Sequence, residues 1–168
     1  MSYTVSFNEN NVEDHICPCG QGLYKQCCQP LHLKQQTAQT AEVLMRSRYS
    51  AFALQQIDYL IETTAIGQQA YLDRDAIAKW SEDNHWLKLE VLQHQAKIDK
   101  THAKVEFKAY FTAQQQQEVH HENSSFVKHQ EQWYFLDPTV DMNITMKQPC
   151  VCGSQKKYKQ CCAPFLKL

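Results

Sequence analysis

The period of the apolar positions changes near Trp86. Before it, Val43, Leu44, Tyr49 and Phe52 fall close to helical spacing, and Tyr59, Leu60 and Ile61 continue an apolar face in a second helix. Asp73 to Trp80 reads as a third helix, with Asp73 placed to cap it. After Trp86 the alternation is twofold: Leu87, Leu89 and Val91 form one strand pattern and Val105, Phe107, Ala109 and Phe111 a second. Val119 to Lys128 and Trp133 to Val140 follow as a third and fourth, and Asp99-Lys-Thr, the glutamine run 114–117 and Gln130-Glu-Gln separate the strands. Helices first and then a meander of strands is an α+β order. Connections this short cannot be crossovers, so the sheet is expected to be antiparallel.

Turn-forming residues concentrate at the two ends. Of four glycines and five prolines, Gly20, Gly22, Gly153, Pro18, Pro30, Pro149 and Pro164 all lie there. Segments 1–33 and 147–168 therefore read as loop-built modules and 34–146 as the regular domain.

All eight cysteines also lie in those modules, as two copies of one pattern. The first is Cys17-Pro-Cys19-Gly followed by Tyr24-Lys-Gln-Cys27-Cys28; the second is Cys150-Val-Cys152-Gly followed by Tyr158-Lys-Gln-Cys161-Cys162. Each supplies four sulfurs, the number a tetrahedral zinc site takes, as a close pair, a Gly-containing turn and a second pair. Two zinc ions are expected, with iron as an alternative occupant of a four-sulfur cage. A disulfide framework needs an oxidising compartment, whereas Met1 to Asn10 lacks the basic start and apolar stretch of a secretory signal. A redox pair would more naturally use C-x-x-C than C-x-C beside C-C. His15 and His32 flank the first cluster and offer imidazole as a substitute ligand.

The cysteine pattern resembles the SEC-C motif, a zinc-binding element at the C-terminus of the bacterial preprotein translocase ATPase and in small bacterial proteins. The C-terminal copy matches its spacing. The N-terminal copy is one residue shorter between Cys19 and Cys27 and lacks the basic pair at Lys156 and Lys157, so its metal site is the less certain. Leu44-Met-Arg-Ser-Arg-Tyr-Ser-Ala-Phe52, Asp58-Tyr-Leu60, Thr63-Thr64, His121-Glu-Asn-Ser-Ser-Phe126 and Trp133-Tyr134 add a second resemblance, to the YchJ-like family of bacterial proteins. That family usually has Arg at the position of Ser125, so any role of that Arg does not carry over. The resemblance implies a middle domain like nuclear transport factor two: helices on a curved antiparallel sheet, a cystatin-like cone, flanked by two zinc knuckles. It leaves the biochemical role poorly defined.

A sheet curled around helices encloses a cavity, so Arg46, Arg48, Tyr49 and His121 are candidate cavity ligands, with Asp58, Tyr59 and Glu122 beside them. Arg46 and Arg48 lie about 200° apart around a helix, so at most one points inward. His121 and Glu122 leave opposite faces of a strand and make a poor acid–base pair. No phosphate loop, nucleophile elbow or H-E-x-x-H helix is present, which argues against an enzyme.

Composition adds little pull of its own. With 168 residues, 43% of them hydrophobic, and a net charge of -1, the chain has no global attraction to nucleic acid or membrane. No apolar run reaches the roughly 20 residues a bilayer span requires, and a cytoplasmic location is expected. Charge is local instead: Lys147, Lys156, Lys157, Lys159 and Lys167 stand at the C-terminal end without an acidic residue. Four thiolates around zinc carry about -2, which leaves that module near +3. Lys156, Lys157, Tyr158 and Lys159 are the candidate partner-binding residues. A protein or ribosome-associated partner fits what the SEC-C resemblance implies, and an RNA backbone is left open. The expected role is a non-enzymatic, zinc-binding adaptor; the alternative is an enzyme or small-ligand receptor using the middle cavity.

Overall fold

The computed structural model describes residues 14–166. Residues 1–13 of the expected N-terminal module, and Lys167, lie outside them. Four helices precede the sheet: α1 (Gln29–His32), α2 (Ala41–Ala53), α3 (Ile57–Glu62) and α4 (Arg74–Asp83). Four strands follow, β1 (His85–Gln95), β2 (His102–Ala113), β3 (Gln116–His129) and β4 (Gln132–Leu136), and α5 (Ala163–Leu166) lies in the C-terminal module. The sheet is antiparallel throughout, in the order β1-β2-β3-β4.

The helix starts follow the side chains available to hold them. Thr40 accepts from the Val43 amide at 3.1 Å and Asp73 from the Ala76 amide at 3.0 Å, each satisfying a backbone donor that the helix cannot. Within α2 the buried face differs from the expected one. Val43 is exposed, while Ser47 and Ser50 are fully buried beside Leu44, Met45 and Tyr49. The Ser47 hydroxyl donates to the Leu44 carbonyl at 2.7 Å and meets the Tyr59 hydroxyl at 2.7 Å, so its burial leaves no polar atom stranded.

Strand register assigns the sheet two different jobs. Ala103, Val105, Phe107 and Ala109 stand opposite Phe126, Ser124, Glu122 and His120 and face the helices. On the reverse face His102 is opposite Val127, and Ser125 is opposite Leu136. Val127 and Leu136 are nonetheless buried, because the C-terminal cysteine module covers them. Residues 124–127 of β3 are consequently buried on both sides. At Gly67 the backbone lies so close to that module that a Cβ would stand 2.9 Å from the Val151 Cα, and the Gly67 amide donates to the Val151 carbonyl at 2.7 Å.

The β2–β3 and β3–β4 hairpins turn without glycine. Gln114 and Gln115 have φ of 49° and 65°, and Gln130 and Glu131 have 48° and 65°, the left-handed pair that a tight two-residue loop needs. Among the described residues, no helix is long and apolar enough to cross a membrane.

Candidate metal centres

The two cysteine patterns fold into the same structure. The Cys17 amide donates to the Gly22 carbonyl at 2.7 Å, and the Cys150 amide to the Lys156 carbonyl at 2.8 Å. Cys27 donates to Tyr24, and Cys161 to Tyr158, each at 3.1 Å. Gly20 and Gly153 turn at φ of 83° and 86°, a conformation only glycine adopts without strain. The extra residue of the second copy is taken up between that glycine and the tyrosine, where Gln155 adopts φ of 66°. The shorter spacing of the first copy therefore does not open its cage.

In each copy four sulfurs lie within 4.8 Å of one another. Cys19 is 3.4 Å from Cys27 and 3.8 Å from Cys28, and Cys161 is 3.6 Å from Cys152 and 3.8 Å from Cys162. A tetrahedron with Zn–S bonds of about 2.3 Å has edges of about 3.8 Å. All eight cysteines are free thiols, so no disulfide framework is formed. Neither His15 nor His32 joins the four-thiol set.

The donor chemistry points to a cation as well. Hydrogen bonds from Cys19 and Cys28 pull the Cys17 thiol down to about 2, while burial pushes Cys27 up to about 12 and its bonds to Cys17 and Cys19 push Cys28 up. The second cage repeats the split: bonds from Cys150 and Cys162 pull Cys152 down, burial pushes Cys161 up to about 12, and bonds to Cys150 and Cys152 push Cys162 up. One thiolate is held at its neighbours' expense. Four buried negative charges need a cation between them before all can ionise.

The middle domain supports each cage with side chains that the cysteine pattern does not contain. On α2, Ser50 Oγ lies 3.3 Å from Cys17 Sγ, and one turn earlier Arg46 donates to the Cys19 carbonyl at 3.3 Å. On β2, His102 Nε2 lies 3.3 Å from Cys162 Sγ. Tyr24 reaches His32 Nδ1 at 2.8 Å, and His32 Nε2 lies 2.8 Å from the Ser47 carbonyl. A carbonyl only accepts, so Nε2 carries the proton and Nδ1 receives the tyrosine's. Sequence reasoning missed Ser50 and His102, since nothing local ties them to a cysteine over 30 positions away.

The other candidates divide. Arg48 and Tyr49 line a cavity under the helices, joined by His120, Glu122 and Ser124 of β3. Arg46 does not line it; it holds the N-terminal knuckle. His121 does not either: it faces away and pairs with Glu106 at 2.8 Å, because alternate strand residues share a face and 120, 122 and 124 occupy the inner one. Asp58 pairs with Arg74 rather than with Arg46 or Arg48. Lys156, Lys157 and Lys159 are exposed, whereas Tyr158 is 8% exposed and packs inside its knuckle. Phe165 also turns inward and stacks on His102 with centroids 4.0 Å apart.

Fold and sites together define a protein with a four-cysteine metal-binding knuckle on either side of an α+β sheet domain. Family models agree: "YchJ, middle NTF2-like domain" matches residues 40–138, and "SEC-C motif" matches 146–164. The chain belongs to the YchJ-like family. A UPF0225 protein of Actinobacillus succinogenes is 48% identical over 152 residues, 90% of this chain and 98% of its own. One from Haemophilus influenzae strain PittEE is 48% identical over 151 residues, covering 89% and 93%. The crystal structure of a SEC-C motif containing protein from Psychrobacter arcticus superposes with a TM-score of 0.84 at 45% identity, covering 92% of this chain and 98% of that one. The solution structure of a SEC-C motif containing protein from Rhodopseudomonas palustris gives 0.68 at 38% identity, covering 73% and 96%. The N-terminal knuckle lies outside both matched ranges, yet has the geometry of the C-terminal one.

Proposed function

We propose that this is a cytoplasmic zinc-binding adaptor whose C-terminal knuckle docks onto an acidic protein or ribosome-associated surface. The observation that carries the reading is the set of exposed lysines on that knuckle. Lys147, Lys156, Lys157 and Lys159 meet no carboxylate within 4.0 Å among the described residues. Residues 146–166 contain no Asp or Glu, so these like charges add to one positive patch on the knuckle, which suits an acidic surface. With Tyr158 and Phe165 turned inward, recognition rests on charge rather than on base stacking, which favours an acidic partner over single-stranded RNA. Zinc suits the cages because four thiolates fill its coordination and leave no position for substrate; the ion supplies structure.

Cosedimentation with bacterial ribosomes tests the reading. The intact chain should pellet with ribosomes at low salt and be released as salt rises, and the triple change Lys156→Gln, Lys157→Gln, Lys159→Gln should weaken capture and flatten its salt dependence. Undiminished capture by the triple variant would place the docking surface elsewhere, and no capture at low salt would remove the ribosome as the partner.

A further inference from the structure

The cavity between the helices and the inner face of the sheet has a volume of about 450 Å³, within the roughly 300–1,000 Å³ typical of small-molecule sites. Its walls are mainly apolar, and Tyr49, Phe52, Trp80, Trp86 and Phe107 form an aromatic part of them. Trp86 sits at the centre of this wall, with ring centroids 5.5 Å from Phe52, 5.7 Å from Tyr49 and 6.3 Å from Trp80.

Besides the Tyr49 phenol, four charged or titratable side chains face this space: Arg48, His120, Glu122 and Asp137. Their pairing is unequal. Glu122 accepts from Ser124 at 2.6 Å and pairs with His120 Nε2 at 2.6 Å, so each carboxylate oxygen already has a donor. One Asp137 oxygen accepts from the Thr139 amide at 2.8 Å and hydroxyl at 2.6 Å. Arg48, by contrast, has only neutral partners: Nη1 donates to the Leu60 carbonyl at 2.8 Å and the Thr63 hydroxyl at 2.7 Å, with the Thr64 hydroxyl at 3.5 Å. The guanidinium also lies over the Phe135 ring, 4.5 Å from its centroid. Among the described residues its Nη2 and Nε make no hydrogen bond, and no carboxylate stands within 4.0 Å. Burial lowers its pKa to about 10, which leaves it cationic at neutral pH.

A half-buried guanidinium with two unused donor nitrogens can receive a carboxylate, because its planar fork matches the two carboxylate oxygens. Glu122 and Asp137 lie at longer range and oppose a second negative charge, which disfavours phosphates and dicarboxylates. We propose that the cavity binds a small, largely apolar monocarboxylate, its head on Nη2 and Nε of Arg48 and its hydrocarbon or aromatic body against Trp86 and Phe107. The site is separate from both knuckles and does not depend on their role.

The probe is 2-naphthoate, titrated into the full-length protein with its metals and followed by calorimetry and by quenching of tryptophan fluorescence. 2-Naphthoate should bind saturably, with 2-naphthamide, 2-naphthylmethylamine and naphthalene-2,6-dicarboxylate each at least tenfold weaker. Arg48→Gln should abolish the preference for the acid over the amide. Arg48 also caps the last turn of α3, so a second variant covers the case in which that protein does not fold. Glu122→Gln removes an opposing charge and should tighten 2-naphthoate several-fold while leaving 2-naphthamide unchanged. Equal affinity for acid and amide, tighter binding of the amine, a signal indifferent to both variants, or no saturable binding of any probe up to millimolar concentration would overturn the assignment.

Discussion

His102 and Cys162, 60 positions apart in the chain, meet with Nε2 3.3 Å from Sγ. The imidazole is 2% exposed, and its Nδ1 lies 2.9 Å from both oxygens of Asp99 in the turn before β2. A ring so anchored presents its second nitrogen to a metal-ligand thiol in a fixed orientation. The sheet thereby supplies the C-terminal knuckle with a hydrogen bond that the cysteine motif cannot provide for itself.

Removing that support should loosen the metal. His102→Ala is expected to release zinc to a colorimetric chelator with an affinity about 10–100-fold weaker at the C-terminal site, with the N-terminal site unchanged. Equal retention at both sites would reduce His102 to a packing residue.

The C-terminal knuckle also shares a core with the sheet. Cys150, Cys152, Cys161 and Cys162 cluster with Ala65, Val127 and Leu136, so its loss should be felt beyond residues 147–168. Re-exposing Val127 and Leu136 costs about 3 kcal/mol, a fall in Tm of roughly 6–12 °C for a chain of this size. Cys152→Ser with Cys161→Ser should therefore lower the main cooperative melt, measured by calorimetry, rather than only erase a small separate transition. An unshifted main transition would show that the knuckle folds on its own account.

The buried His32 gives a pH signature. Burial depresses its pKa below the ordinary 6.5, against a weaker opposing effect of the Ser47 carbonyl. Below pH 6.5 the unfolded chain takes up a proton that the folded one refuses, so stability is lost as pH falls from 6.5 toward the folded value, by up to about 1.4 kcal/mol per pH unit. Denaturant unfolding of wild type and His32→Gln, both with saturating zinc, isolates the contribution. The wild type should lose stability relative to the variant between pH 7 and pH 5; parallel curves would mean that the imidazole is not held neutral.

The β2–β3 hairpin stores backbone strain, since a non-glycine residue in the left-handed region costs about 1 kcal/mol. Gln114→Asn with Gln115→Gly suits the turn that both residues already adopt, and should raise stability by about 1 kcal/mol in urea unfolding. A destabilised variant would show that the glutamine side chains contribute more than the turn geometry does.

These relationships were unequally legible in the sequence. Twofold alternation located the four strands, but a register shift between Trp86 and Lys88 leaves Leu87 exposed, off the face shared by Leu89 and Val91, and β4 ends at Leu136 rather than Val140. Asp73 marks a helix start that the structure keeps. The cysteine quartets are local, so spacing alone located both cages. Partners brought together by register or packing left no local signature: His102 reaches Cys162 only because a module folds onto the reverse face, and Val127 is buried for the same reason. His120 was the missed neighbour of an expected residue. Strand period places it, Glu122 and Ser124 on one face, so its entry to the cavity in place of His121 followed from choosing which face was inner. Tyr158 was misassigned because an aromatic among lysines reads as a surface feature when the knuckle's own small core is out of view.

Two metal cages built from one repeated pattern are the centre of the account, and metal stoichiometry tests them most directly. Protein purified under reducing conditions, examined by native mass spectrometry and elemental analysis with a thiol-alkylation count, should carry two zinc ions per chain and keep all eight cysteines protected until a chelator is added. Folded, metal-free protein whose eight thiols alkylate freely would contradict it.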